Sequence, residues 1–298
     1  MSGLIIDIHR CSIHDGPGVR TTVFFKGCPL RCKWCHNPES LSFKKQLSFN
    51  ELTCINCLAC VDICPHQAHQ VIESKHSVDF SKCVGCGKCQ TACLSHSLRL
   101  VGEEKSIDDI LKIIKKDKSF YQTTGGGVTL SGGEILSHSE KASEILAACQ
   151  QEQIHTCIET SGFGTKKAID TIVPFVDLVL FDYKVTDEQD HLTYVGVKNK
   201  QILDNLAYLN ELKQPVILRC PIIPTVNDNE KHFEAIDKLL TTYPNLLRAE
   251  LLPYHNFGMS KAKNIGYDKI QTFEPPTGED KKRWLTYFKW NHDKVLIN

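Results

Sequence analysis

The sequence predicts an α/β protein in which six strand–helix units form a barrel or an open parallel sheet, interrupted near its start by a small cysteine-rich segment. Three observations carry this. Short apolar runs alternate with amphipathic stretches from about residue 101 onward; one more such run stands at 21–28; and twelve of the fifteen cysteines lie between Cys11 and Cys93. The expected strands are, in order, "TTVFFKGC" (21–28), "VTLS" (128–131), "TCIET" (156–160), "LVLFDYK" (178–184), "VILRC" (216–220) and "AELLPYH" (249–255). Short apolar runs bounded by polar residues are what strands covered on both faces require. Between them, "SIDDILKIIKK" (106–116) opens on Ser106 with Asp109 three residues on, a capping-box variant, and its isoleucines and leucine keep helical spacing. "NKQILDNLAYLNEL" and "NEKHFEAIDKLLTTY" read as amphipathic helices.

At 298 residues the chain can form one large domain with an appendage. The expected division is 1–46 with 101–298 for the larger domain and 47–100 for the insert. Thirty-five basic residues balance thirty-five acidic ones, so no charge footprint for nucleic acid or an anionic membrane is present. The basic run "KIIKKDK" (112–118) reads as the wet face of a helix. The most apolar run, "TIVPFVDLVLF", has 11 residues broken by Pro174 and Asp177, too short to span a bilayer. "MSGLIIDIHR" lacks the pattern of a signal peptide. A cytoplasmic protein is expected, and disulfides are disfavoured there.

The fifteen cysteines therefore need another reason. Cys11, Cys149, Cys157 and Cys220 stand apart from any cluster spacing and are expected to be buried small residues. Eleven remain. "CINCLACVDICP" (54–65) and "CVGCGKCQTACL" (83–94) repeat C-x2-C-x2-C-x3-C, the bacterial ferredoxin run for 4Fe–4S clusters, in which the fourth cysteine crosses to the other cluster. That predicts Cys54, Cys57, Cys60 and Cys93 on one cluster and Cys64, Cys83, Cys86 and Cys89 on the other. Leu94 replaces the usual proline, and zinc ribbons have a different spacing. The last three, Cys28, Cys32 and Cys35 in "GCPLRCKWCHN", are one ligand short of a closed site. Either one iron of a cluster is left open there, or His36 or Cys11 completes it. Trp34 is placed to shield it from water.

Chemically unusual residues recur where the predicted strands end: Cys28; Gly132, Gly133 and Glu134; Glu159 and Thr160; Asp182 and Lys184; Arg219; His255. Parallel α/β barrels gather their chemistry at that end, so one shared pocket is expected. Phosphate-loop, dinucleotide and H-E-x-x-H zinc motifs are missing from the sequence.

"DGPGVRTTVFFKGCPLRCKWCHNP", "VTLSGGE", "DYK" and "LLPYHNFG", in that order, resemble the radical S-adenosylmethionine (SAM) enzymes. More narrowly they resemble the activating enzymes of glycyl radical enzymes. The cysteine-rich insert resembles the activators of the decarboxylase, dehydratase and amine-lyase branches rather than the pyruvate formate-lyase type. The resemblance implies a partial (β/α)6 barrel with an inserted two-cluster ferredoxin-like domain, three 4Fe–4S clusters and SAM. The open iron would bind the amino and carboxylate groups of SAM, with the backbone of Gly132, Gly133 and Glu134 at the amino group. Asp182, Tyr183 and Lys184 would line the cofactor, Lys184 near its carboxylate. Arg219 and His255 would contact the carboxylate and the ribose or adenine, and Trp34, Cys35 and His36 the adenine. Glu159, Thr160, Asp182 and the Leu180 carbonyl fall where a monovalent cation would sit, although Glu159 replaces an aspartate. "GGEIL" also lacks the proline that often follows the glutamate.

The implied chemistry is anaerobic. A flavodoxin or ferredoxin-type donor supplies one electron, SAM is cleaved to methionine and a 5′-deoxyadenosyl radical, and the radical takes hydrogen from a glycine α-carbon of a partner enzyme. "HDGPGVR" (14–20) would wall the entry of the partner's loop. Two other readings remain: a radical SAM enzyme acting on a small molecule or peptide, and a plain electron carrier. Both insert runs hold four cysteines, which favours electron transfer or structure over substrate binding at the insert.

Overall fold

All six expected strands form, and two more flank them. The computed structural model describes residues 3–298. Its main sheet has eight strands in the order β1-β2-β7-β8-β9-β10-β11-β12. They are β1 (Leu4–Ser12), β2 (Arg20–Lys26), β7 (Gly127–Gly132), β8 (His155–Thr160), β9 (Leu178–Asp182), β10 (Val216–Ile222), β11 (Leu246–Pro253) and β12 (Val295–Ile297). Pairing is parallel from β2 through β12, and only β1 runs antiparallel, against β2. β1 carries two register shifts, between Ile5 and Asp7 and between His9 and Ser12, which break the alternation that would mark it in the sequence.

The side-chain period of two sorts each parallel strand into a helix-facing set and an interior set. Val23, Phe25, Val128, Leu130, Ile158, Val179, Phe181 and Leu218 join the main core, against helices such as Ser139–Gln151, Lys200–Glu211 and Glu230–Thr242. The alternate positions Cys157, Leu178, Leu180 and Ile217 form a separate apolar layer. Two residues further along the same strands stand Glu159, Asp182 and Arg219. The interior therefore changes from apolar to charged toward the carboxyl ends of the strands.

Residues 46–101 form a unit outside this sheet. β3 (Gln46–Phe49) and β6 (Leu98–Val101) pair antiparallel, bringing entry and exit together, with Gln46 opposite Val101. β4 (His69–Ile72) and β5 (Lys75–Val78) make a hairpin, and Ala59–Ile63 and Lys88–Ala92 are single-turn helices. The buried Lys26 ties this unit to β2, its Nζ donating to Gln46 Oε1 at 2.7 Å and to the Glu39 carbonyl. The helix expected at 106–116 spans Ile107–Ile114. The Ser106 hydroxyl accepts the Asp109 amide, but the Asp109 carboxylate takes the Ser106 hydroxyl instead of a backbone amide.

Of the four isolated cysteines, Cys149, Cys157 and Cys220 are buried as expected. Cys11 is not: it is exposed at the second irregularity of β1, with φ of +59°. Among the described residues no helix is long and apolar enough to cross a membrane.

Candidate active site

The carboxyl ends of β2, β7, β8, β9 and β10 surround one open cavity, with ≈ 910 Å³ of empty space when its mouth is included. Cys28, Cys32 and Cys35 line one side, on the loop leaving β2, together with Trp34 and His36. Gly132, Gly133 and Glu134 contribute from β7, Glu159 and Thr160 from β8, Asp182 and Lys184 from β9, and Arg219 from β10. Thirteen of the sixteen residues expected in this pocket therefore line it. Cys11 does not, which removes it as a fourth ligand.

The cysteine loop is pinned by backbone bonds. Gly27 donates to Ser40 (2.7 Å), Arg31 to Val195 (2.8 Å) and Lys33 to Tyr194 (2.9 Å). Leu30 and Trp34 pack with Val185, Val195, Ile223, Val226 and Tyr254, and Cys28 and Cys32 lie against that apolar shell. Trp34 is nearly sealed from water. Burial raises all three thiols, Cys35 to about 12, so thiolates are stable there only against metal charge. These thiols are set wider than the ligands of a single ion. Among the described residues, only Cys60, His69 and His76 offer three ligand atoms all within 4.8 Å of one another. A multi-iron cluster, with one iron per thiolate, fits this wide spacing and a lone zinc does not.

The glycine pair has a steric cause. A Cβ on Gly133 would stand 2.1 Å from the Gly27 carbonyl oxygen, and one on Gly132 would stand 2.3 Å from the Phe25 backbone. Gly133 N–H donates to Phe25 (2.9 Å) and Glu134 N–H to Gly27 (3.0 Å), so the end of β7 presses directly on the root of the cysteine loop. The Glu134 carboxylate is fully committed inward, accepting from the Leu136 amide (3.0 Å), the Ser161 amide (2.9 Å) and the Thr160 and Ser161 hydroxyls. It braces the loop that lacks a proline. Gly258 of "LLPYHNFG" is likewise enforced, since a Cβ there would stand 2.1 Å from the Cys35 carbonyl oxygen.

Two ion pairs cross the floor. Lys184 Nζ donates to Asp182 at 2.8 Å, and Arg219 Nη1 to Glu159 at 2.8 Å, where the Ser131 hydroxyl also donates. Burial pulls the Lys184 pKa down, but Asp182 and Cys32 outweigh it and the ammonium is favoured. Burial also opposes the Arg219 charge and is outweighed by Glu159 and Asp182. Three buried side-chain nitrogens have no partner, and two of them, Arg219 Nε and His36 Nε2, belong to this cavity, with His138 Nε2 outside it. Burial, then the neighbouring His255, pushes the His36 pKa down to about 4, leaving a neutral ring. Unpaired buried donors and acceptors are costly, and these two nitrogens face the same cavity. A polar ligand beside a cluster fits this donor set.

Three of the expected residues are not among those lining the cavity, Leu180 having been expected through its carbonyl alone. Tyr183 faces the helices, because the residue between Asp182 and Lys184 must point the other way. Its hydroxyl meets Thr186 and its ring stacks on His232. The Leu180 side chain belongs to the apolar layer below the charged one. His255 lies behind His36, stacked on it at 3.8 Å. The "HDGPGVR" segment does not line the cavity either. Asp15 accepts from the Ser12 and Thr22 hydroxyls, and the buried Arg20 bonds Thr129 and the Pro17 carbonyl. Ser131, Ser161 and Asn37 line the cavity without having been singled out. Ser131 could have been found by counting two residues along β7 from Thr129.

The other eight cysteines gather in two small voids in the insert. One is lined by Cys54, Cys57, Cys60 and Cys93, the other by Cys64, Cys83, Cys86 and Cys89. The fourth cysteine of each run thus sits with the other run's first three.

Residues 22–236 match the radical SAM superfamily. The choline trimethylamine-lyase activating enzyme of Oleidesulfovibrio alaskensis is 43% identical over 271 residues, covering 89% of this chain and 87% of the relative. The trans-4-hydroxy-L-proline dehydratase activating enzyme of Clostridioides difficile is 41% identical, covering 95% and 92%. The structure of SuiB from Streptococcus suis bound to its precursor peptide superposes with a TM-score of 0.50 at 17% identity, over 66% of this chain and 43% of that one, which shows the fold alone. The chain belongs to the radical SAM superfamily and, within it, to the activating enzymes of glycyl radical enzymes.

Proposed function

We propose that this activating enzyme works with three 4Fe–4S clusters and SAM, on a glycyl radical enzyme of the lyase or dehydratase kind that its relatives serve. The observation that carries this is the division of eleven cysteines. Three open into a charged cavity with uncommitted donors, and eight fall into two closed, crossed sets. When bound, the cavity cluster and SAM supply a 5′-deoxyadenosyl radical that takes hydrogen from a glycine α-carbon.

The chain's own residues bind, orient and exclude water. Cys28, Cys32 and Cys35 hold three irons. The amides of Gly133 and Glu134 donate to the Phe25 and Gly27 carbonyls, and the ammonium of SAM, itself a donor, would be met by carbonyl oxygens of that loop. Lys184 and the free Nε of Arg219 face the carboxylate side, and His36 with Trp34 forms the aromatic wall for the adenine. His255 acts through His36 by stacking. A monovalent cation at Glu159, Thr160, Asp182 and the Leu180 carbonyl would compete with cations of the chain itself. Arg219 already neutralises Glu159, and Lys184 neutralises Asp182. We read those side chains as taking the cation's place, so exchanging potassium for a bulky organic cation leaves the rate unchanged.

Residues 46–101 act in this reading as a ferredoxin-like relay that accepts electrons from a flavodoxin or ferredoxin-type donor. A reading as an enzyme for a small molecule is disfavoured because each insert set is closed by four thiols. The test is anaerobic reconstitution followed by reduction with SAM. It should give about twelve irons per chain, 5′-deoxyadenosine, and a glycine-centred doublet by electron paramagnetic resonance (EPR) once the partner is added. About four irons would refute the relay, and absence of 5′-deoxyadenosine would refute the active site.

A further inference from the structure

The two closed cysteine sets have different polar surroundings. In the Cys54/Cys57/Cys60/Cys93 set, the ring of His76 lies between two ligand sulfurs, with Nε2 3.3 Å from Cys60 Sγ and Nδ1 3.7 Å from Cys54 Sγ. The Ser97 and Ser95 hydroxyls stand 3.2 and 3.7 Å from Cys93 Sγ. In the Cys64/Cys83/Cys86/Cys89 set, the one hydrogen bond to sulfur among the described residues comes from the Ala68 amide to Cys64, at 3.4 Å.

The His76 ring is held for this position. Asn56 Oδ1 accepts its backbone amide at 2.9 Å, Phe49 packs edge-on against it at 4.6 Å, and His69 Nδ1 sits 2.8 Å from its Nε2. When His69 Nδ1–H donates to Nε2, the His76 proton stands on Nδ1 and faces Cys54 Sγ; with the proton on Nε2, that N–H is shared between His69 Nδ1 and Cys60 Sγ. Hydrogen bonds to cluster sulfurs favour the reduced, more negative state and raise the potential.

On the reading of 46–101 as a two-cluster unit, we propose that His76, oriented by His69, is a positioning residue that raises the reduction potential of the Cys54/Cys57/Cys60/Cys93 cluster. That cluster fills first when the donor delivers an electron. The clusters of the insert are then inequivalent by construction, one set to hold the electron and the other to pass it.

The test is a potentiometric titration of the full reconstituted chain, followed by EPR, on wild type, His76→Phe and His76→Gln. At the wild-type midpoint of one closed cluster, His76→Phe should lower the ratio of reduced to oxidised cluster roughly tenfold, equal to ~59 mV for one electron. The other two clusters should not move, and His76→Gln, which keeps an N–H, should restore most of the shift. An unchanged curve in a His76→Phe protein with full iron overturns the proposal. Pulsed EPR on wild type labelled with nitrogen-15 histidine gives a second reading that needs no variant. Nitrogen coupling at one closed cluster supports the proposal and its absence overturns it. Stoichiometric zinc in place of that cluster would overturn it too, by making Cys60, His69 and His76 a single-ion site. A wild-type iron count of about four is separately recognisable as failure of the two-cluster reading itself.

Discussion

The cavity at the strand ends and the unit at 46–101 both gather cysteines, yet they surround them differently. In the cavity, three thiols share space with Lys184, Arg219, Glu159 and Asp182, and two buried nitrogens await a partner. In the insert, eight thiols line two smaller voids, with ≈ 320 and ≈ 280 Å³ of empty space against ≈ 910 Å³ in the cavity, and each void has four thiols around it. Ligand count alone does not separate a working site from a wire. The polar groups left unpaired around the sulfurs do, because leaving them so is costly and a ligand that pairs with them removes that cost.

Substitutions can break this comparison, beginning with the strongest. Cys32→Ala should abolish 5′-deoxyadenosine formation and lower the iron content from about twelve to about eight, without affecting the insert's EPR signals. Retained cleavage would mean the cavity is not where SAM reacts. Gly133→Ala puts a methyl group 2.1 Å from the Gly27 carbonyl oxygen. It should cost about 3 kcal/mol in denaturant unfolding and displace the cysteine loop, weakening SAM binding as well. Lys184→Met should raise the KM for SAM by roughly tenfold to a hundredfold, the worth of a charged hydrogen bond, at unchanged iron content.

The insert should answer in the opposite way. Cys57→Ala removes an exposed ligand of one closed set. Cleavage driven by dithionite should persist, while the rate with a flavodoxin or ferredoxin donor should fall. Equal loss with both reductants would contradict a relay. The smallest effect concerns the wall behind the cavity. His232 is buried beside Tyr183 and Thr186, and burial pushes its pKa down to about 3. A folded pKa below the unfolded value of about 6.5 means that the unfolded chain binds the extra proton. Stability from His232 is complete above that value and is lost as pH falls from 6.5 toward 3. At pH 5 wild type should therefore lose roughly 2 kcal/mol through this group that His232→Gln does not lose.

The parallel strands were legible because both of their faces are covered, which makes them continuous apolar runs. β1 was not, since its bulges interrupt the alternation, and β12 is only three residues long. Those same bulges carry Cys11 outward, where an apolar setting had been expected. The strand-end residues were readable as one pocket by position alone. Tyr183 shows the limit of motif reading: the period of two, applied to Asp182 and Lys184, would have excluded it. The pairing of Arg219 with Glu159 depends on β10 standing two strands from β8, which only the sheet order reveals. His69 and His76 left no signal in the sequence, because the hairpin of β4 and β5 is what brings them to Cys60.

The central claim is that one cluster is open and two are closed, and titration of the reduced chain with SAM, followed by EPR, tests it most directly. The account predicts that SAM alters the spectrum of one cluster of three, that the altered cluster is the one lost in Cys32→Ala, and that 5′-deoxyadenosine follows. A spectrum indifferent to SAM, or a change in a cluster that survives Cys32→Ala, would contradict it.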